Sequence, residues 1–249
     1  MHDLAHLTLQ DITKIGVVLR GLGKDSDSIE TVATRCVQYL HQNLIDPRTG
    51  QSACALVRFF KSHPYGQLPI NLQDRANALC DRQATDELKC LTLLGTAGDK
   101  LAWQSRQASK GHQVIPLVSQ EAVEQIPMIS QPIASFGLET NCVLSPDPNL
   151  LVVLEQKTCN VFYVPTALGS EFIPAQAEFV EPFGIKSVLG FGGILPSGNL
   201  FATILFSKVE IPASTARLFK TLPLNIKMSI VPFDKERAFR NATPCLSKA

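Results

Sequence analysis

The chain has 249 residues, of which 45% are hydrophobic, and its 23 basic and 22 acidic side chains give a formal charge of +1. This length suffices for one large domain with a sizeable core, and the balanced charge gives no electrostatic case for nucleic acid or an anionic membrane as a partner. No apolar run reaches the roughly 18 residues of a membrane span, and the first residues, MHDLAHLTLQDI, are acidic where a secretory leader would be basic. We therefore expect a soluble, cytoplasmic protein.

The first 27 residues are predicted to form an N-terminal helix. Apolar side chains recur at alternating spacings of four and three from Met1 to Leu22, which is the pattern of a helix seam. Such a helix either packs on its own domain or pairs with a second copy of the chain. A second helix is expected from Ser28 to Leu44, with Ser28 or Asp27 as its cap.

Two strands and a long crossover follow. The apolar runs at 53–60 and 88–95 predict strands, with a short helix near 72–79 between them. The crossover, 96–149, carries helical patterns at 101–109 and 119–136, the second of them interrupted by two prolines. Loops of this length in compact domains are often functional.

The most informative stretch is a predicted hairpin within residues 183–207. Two arms rich in β-branched and aromatic residues flank the turn Pro196-Ser197-Gly198-Asn199. Both sets of alternating positions are apolar, so both faces of the hairpin should be covered. Another hairpin, with strands at 150–155 and 160–164, is expected before it, and a helix starting near Pro212 after it. Six strands, mostly joined by hairpins and flanked by helices, predict an α+β domain with an antiparallel sheet.

The central hairpin and its closing helix resemble those of GAF domains. The matching segments are GIKSVL at 184–189 and GNLFATILFS at 198–207, which correspond to the two last strands of that family. The segments ALVRFFKSHPYG, LTLLGTAGD, SRQASKGHQVIPL and IPMISQPI resemble a GAF-like sensor module found ahead of histidine kinases in bacteria. The resemblance covers residues 28–232 and leaves 233–249 as a polar tail.

The resemblance implies a GAF/PAS-like six-stranded antiparallel sheet flanked by helices on both faces. It also implies a homodimer formed through terminal helices, a small-molecule pocket beneath the crossover, and a histidine kinase or other output domain as partner. The chain lacks the Asn-Lys-x-Phe-Asp motif of cyclic-nucleotide binders, and no cysteine adjoins a histidine as in a bilin attachment site. The cofactor therefore stays unknown.

Four side chains are candidate ligand contacts. Arg58 interrupts an apolar strand, so its charge must reach an edge, a pocket or an acidic partner such as Glu178 or Glu181. Trp103, Arg106 and His112 combine a large aromatic ring with polar donors in the crossover, which suits an anionic or planar ligand. An amphipathic helix whose tryptophan packs on the sheet explains the same pattern.

Gly190 and Gly192 complete the candidate site, because glycines in a strand mark a bulge or the close approach of another group. That group is either a helix or a ligand. The position of these glycines inside a hairpin arm does not fit a phosphate loop, which needs a helix after the strand.

Two alternatives remain for the function. The first is a dimerisation or interaction module that binds no ligand. The second is a thiol-dependent enzyme like the GAF-type methionine sulfoxide reductases, with Cys80, Cys90 and Cys142 as the thiols to test. The chain has seven dispersed cysteines without a C-x-x-C motif, which favours reduced thiols over a disulfide framework or a zinc site.

Overall fold

One six-stranded antiparallel sheet with helices on both faces organises the molecule. The structure, a computed structural model, describes residues 1–80, 82–109, 111–147, 160–235 and 237–240. It confirms the predicted α+β class and the antiparallel sheet.

The N-terminal region forms two helices and a small sheet. Thr8 and Asp11 form a capping box at the start of the first helix, with each backbone N–H donating to the other side chain. Ser28 caps the second helix, as predicted. The small sheet was not predicted, because its strands are only two or three residues long. The elements are β1 (His2–Asp3), α1 (Leu9–Gly21), α2 (Ile29–Asn43), β2 (Leu44–Asp46) and β3 (Gln51–Ser52).

The large sheet consists of six strands: β4 (Cys54–Pro64), β5 (Lys89–Gly98), β6 (Val114–Pro116), β7 (Val161–Val164), β8 (Ser187–Ile194) and β9 (Leu200–Ser207). Their order across the sheet is β6-β5-β4-β9-β8-β7, and each neighbouring pair is antiparallel. Helix α3 (Ile70–Asn77) lies between β4 and β5 in the chain.

The central hairpin, β8–β9, is confirmed, and every residue of both strands is buried. Its turn is closed by a hydrogen bond from Leu195 N to Asn199 O, and Gly198 takes a left-handed conformation with φ +77°. Full burial of both strands means that helices or loops cover each face of the hairpin, as its apolar pattern indicates.

The crossover confirms one predicted feature and differs in another. The pattern at 119–136 is broken at Pro127, as its prolines predicted, into α4 (Gln120–Glu124) and α5 (Pro127–Ser135), and Pro132 lies within α5. The predicted helix at 101–109 is only a 3₁₀ turn, Leu101–Trp103. A further helix, α6 (Thr140–Leu144), follows.

The large sheet also contains one strand, β6, that was not predicted. Strand β6 pairs with β5 at the sheet edge, although nothing in the short segment Val114–Pro116 predicted a strand. The strand predicted at 150–155 lies outside the described residues. Strand β7 matches the prediction at 160–164.

The chain closes with two helices, α7 (Ala213–Leu218) and α8 (Leu222–Ile230). The helix that starts after Pro212 ends at Leu218, and Pro223 lies in the first turn of the next helix, α8, a position that suits a proline. Helix α1 packs on α8 through its seam residues Ile12, Ile15 and Leu19, which are buried. No helix within the described ranges has the length and apolar character needed to cross a bilayer.

The described part of segment 233–240 is packed on the body of the protein, where a fraying tail was expected. The backbone N–H groups of Ile29 and Glu30, at the start of α2, donate to Arg237 O and Ala238 O, each over 2.9 Å. The ring of Phe239 is buried beside His63. These bonds satisfy N–H groups that a helix start otherwise leaves unpaired.

Candidate ligand-binding site

A cavity of about 410 Å³ lies on the crossover side of the large sheet. Its floor consists of inward-facing side chains from β4, β5 and β9, and its roof consists of α5 and the segment 173–179. The volume lies within the usual range for small-molecule pockets, about 300–1,000 Å³. The apolar floor residues are Leu56, Phe60, Leu91, Leu200, Ala202, Ile204 and Phe206.

One helix and one π-helical turn form the roof of this cavity. Helix α5 begins at Pro127 and, with the residue that follows it, presents Ile129, Ile133 and Phe136 to the interior. The five-residue π-helical turn Gln176–Val180 adds Phe179. The roof is therefore as apolar as the floor.

Trp103 lines the cavity and anchors a cluster of aromatic rings. Its ring lies edge-on to Phe183 and Phe179, with centroid distances of 4.6 and 5.7 Å. A hydrogen bond of 3.0 Å from Thr96 Oγ1 to Trp103 O fixes its backbone to β5. Edge-to-face packing of this kind favours a defined ring orientation, so Trp103 presents a rigid aromatic wall.

Arg58 also lines the cavity, and its charge has no acidic partner among the residues that the structure describes. Its terminal nitrogens contact Ser109 Oγ and His112 Nδ1, both at 3.4 Å. Its Nε atom is buried and has no hydrogen-bond acceptor among the described residues. The predicted salt bridge to Glu178 or Glu181 is therefore not formed, since no carboxylate of the described chain lies within 4.0 Å.

Burial lowers the pKa of Arg58 from its usual 12.5 to about 10. The guanidinium nevertheless keeps its positive charge at neutral pH. An unsatisfied buried polar group costs about 1–3 kcal/mol of stability, so the buried Nε makes Arg58 unfavourable for the ligand-free fold.

His112 stands at the rim beside Arg58. Partial burial, followed by the positive charge of Arg58, lowers its pKa from 6.5. A neutral imidazole can accept the hydrogen bond from Arg58 at Nδ1 and carry its own hydrogen on Nε2. The backbone of His112 is left-handed, with φ +59°, which is unfavourable for a residue with a side chain and orients the ring towards Arg58.

Arg106 points away from the cavity. Its Nε and NH2 groups donate to Glu30 Oε1 at 3.0 and 2.8 Å, and Glu30 Oε2 accepts from Arg240 N at 2.9 Å. The crossover thus contributes Trp103 and His112 to the cavity, while Arg106 forms an ion pair with Glu30 of α2. Glu30 in turn accepts a hydrogen bond from the C-terminal segment at Arg240 N.

Gly190 and Gly192 support the packing beside the cavity and do not line it. A Cβ atom at Gly190 would lie 2.7 Å from Ile204 Cδ1, and one at Gly192 would lie 2.1 Å from Phe201 O and 3.0 Å from Phe136. The group that approaches these glycines is therefore protein, with α5 reaching down to the strand through Phe136.

Sequence reasoning missed Ser109 and the roof residues. Ser109 contacts Arg58 across the crossover, and Phe179 belongs to an irregular segment with no periodic pattern. Nothing in the sequence around Ser109 distinguishes it from other polar loop residues. The apolar run IPMISQPI did contain the roof helix, but its direction depends on contacts distant in sequence.

Metal and thiol chemistry have little support at this cavity. Across the described ranges, no group of three or more His, Cys, Asp and Glu side chains could hold a metal ion. None of Cys80, Cys90 and Cys142 is among the residues that line the cavity. Burial raises the pKa of Cys90 to about 12, which leaves a negligible thiolate fraction at neutral pH.

Comparisons with known proteins do not identify the chain. No model of a known protein family matches it. No curated protein matches it either.

Proposed function

We propose that this chain is a cytoplasmic, GAF-like sensory module of signal transduction that binds a small molecule. The GAF/PAS-like assignment is supported by the antiparallel sheet between helical layers, with a closing hairpin and helix. The observation that carries the ligand-binding role is the cavity, because it combines apolar walls with one unpaired guanidinium.

The structure offers a physical route from the cavity to the chain ends. The turn that follows β5 contributes Trp103 to the cavity and Arg106 to the ion pair with Glu30. Glu30 also binds the backbone of Arg240 in the C-terminal segment. A ligand that favoured one position of this turn would shift the population of the docked segment, and an output domain such as a histidine kinase would receive that change.

A homodimer through the terminal helices is part of this proposal. Helices α1 and α8 pack against each other, and both also expose apolar side chains to solvent, including Val17, Leu224 and Met228. Exposed apolar side chains on two adjacent helices favour pairing with the same surface of a second copy.

The two alternatives receive less support. A module that only dimerises would not need a cavity of about 410 Å³ with a half-buried arginine in its wall. A thiol-dependent reductase would need a stabilised thiolate, whereas Cys90 is buried with its pKa raised to about 12.

Native mass spectrometry of the chain purified from its own host tests the proposal. We expect a dimer mass that carries an additional small molecule. Ala202 lies on the cavity floor, so Ala202→Leu should abolish the bound mass by filling the cavity. Ala213→Leu adds the same bulk at an exposed position at the start of α7, outside the cavity and its roof, and serves as control. A folded wild-type protein that carries nothing, and that binds nothing in a thermal-shift screen of metabolites, would contradict the ligand-binding role.

A further inference from the structure

The charge balance of the cavity restricts the class of ligand. Among the described residues that line it, Arg58 is the only one with a permanent charge. Its hydrogen bonds to Ser109 and His112 are long, 3.4 Å each, and both partners are neutral groups. Charges withdrawn from water are normally paired, and none of the ion pairs among the described residues involves Arg58, which leaves its charge available to a group that enters the cavity.

The geometry of Arg58 favours a planar, singly charged partner. Each terminal nitrogen of Arg58 carries two hydrogens and uses one of them in its long contact with His112 or Ser109. The remaining hydrogens match the two oxygens of a carboxylate. A phosphate monoester would bring close to two negative charges, and the neutral His112 supplies no second positive charge.

The remaining walls define the body of the molecule. The cavity volume of about 410 Å³ corresponds to about 14 water molecules at ~30 Å³ each, and so to a ligand of roughly a dozen or more non-hydrogen atoms. Phe60, Phe136 and Trp103 line it together with aliphatic side chains. This surface suits an aromatic or branched hydrocarbon body and offers few hydrogen-bonding groups to a sugar or a nucleotide.

From these observations we infer that the ligand is a compact apolar monocarboxylic acid whose carboxylate pairs with Arg58. The inference rests on the proposed function and names the class of molecule that the same cavity takes. Ser109 and His112 act as positioning residues, since they contact the two terminal nitrogens of the guanidinium.

Titration calorimetry with matched probes tests this inference. Indole-3-acetate and its neutral amide have nearly the same shape, and the 249-residue chain should bind the acid at least tenfold more tightly. Arg58→Met should abolish that preference. Arg217→Met, which changes an exposed arginine on α7, should retain it. Decanoate and decanamide repeat the comparison with an aliphatic body.

A stability measurement separates a ligand-binding role from a structural one. Because Arg58 is desolvated without an acidic partner, Arg58→Met should raise the Tm of the ligand-free protein. The acid should then no longer raise that Tm further. A lower Tm in Arg58→Met would show that Arg58 is needed for the fold instead, and would overturn the inference.

Other outcomes distinguish this inference from the proposed function. Equal affinity of the acid and the amide, or an acid preference that persists in Arg58→Met, would overturn the inference and leave the ligand-binding role intact. Binding of neither probe pair would also overturn it, while the mass carried by the native protein would still decide the proposed function.

Discussion

His63 shows how strongly a single buried side chain can couple stability to pH. It is 1% exposed, its ring packs on Phe239 at 5.0 Å, and its Nε2 has no hydrogen-bond partner in the described structure. Burial, then the charges of Lys61 and Lys89, lower its pKa well below 6.5. As the pH falls below about 6.5, His63 therefore binds a proton in the unfolded chain but not in the folded protein. Stability from this residue is present above pH 6.5 and is lost as the pH falls.

We predict that His63→Phe reduces the acid sensitivity of the fold. The free energy of unfolding should decline less steeply below pH 6.5 than in the wild type, by up to about 1.4 kcal/mol per pH unit. Part of the slope should remain, because the pKa values of His41 and His112 are also lowered by burial. Urea unfolding at pH 7.5, 6.0 and 5.0 measures the slope. His6→Gln changes a side chain that is 79% exposed and is the control. A wild-type slope in His63→Phe would contradict the prediction.

At the scale of elements, the hairpin β8–β9 depends on a strand position that tolerates no side chain. A Cβ atom at Gly192 would meet the backbone of β9, 2.1 Å from Phe201 O and 2.9 Å from Ala202 Cα. Gly192→Ala should therefore lower the free energy of unfolding by about 1–3 kcal/mol, the usual cost of overpacking. Chemical denaturation measures the change.

Gly21→Ala is the matched control for this change. Gly21 is the last residue of α1, and an added Cβ would meet nothing within 4 Å. Alanine is favoured over glycine in a helix by up to about 1 kcal/mol, so this variant should be as stable as the wild type or more so. Equal destabilisation by the two substitutions would contradict the steric explanation for Gly192.

The same elements show what the sequence could predict. The hairpin was predictable because its two apolar arms and its turn are contiguous in the sequence, and the local preferences of all three favour the same structure. Strand β6 was not, because three residues become a strand only through pairing with β5. Trp103 and Arg106 were expected to lie in one helix at 101–109. A 3₁₀ turn that ends at Trp103 sends Arg106 to Glu30 instead, and only tertiary contacts decide that direction.

At the scale of the whole molecule, the central sheet separates the cavity from the C-terminal segment, and two structures connect them. Strand β4 directs Arg58 towards the cavity and Lys61 towards the opposite side, where Lys61 pairs with Asp234 at 3.4 Å. The crossover turn joins the cavity wall at Trp103 to the Arg106–Glu30 pair. A change at the cavity can therefore reach segment 233–240 from two directions.

We predict that hydrogen exchange at Ile29 and Glu30 reports this connection. Their amides donate to Arg237 O and Ala238 O, so exchange requires the C-terminal segment to leave α2. Arg106→Met removes the cation that orients Glu30 and should speed exchange at both amides, whereas Arg217→Met should not. If the cavity is coupled to the segment, saturation with indole-3-acetate should change exchange in the wild type and in Arg217→Met, but not in Arg106→Met. An equal ligand effect in all three proteins would mean that the coupling does not pass through the Arg106–Glu30 pair. The ion pair between Lys61 of β4 and Asp234 of the C-terminal segment would then be the next to be replaced.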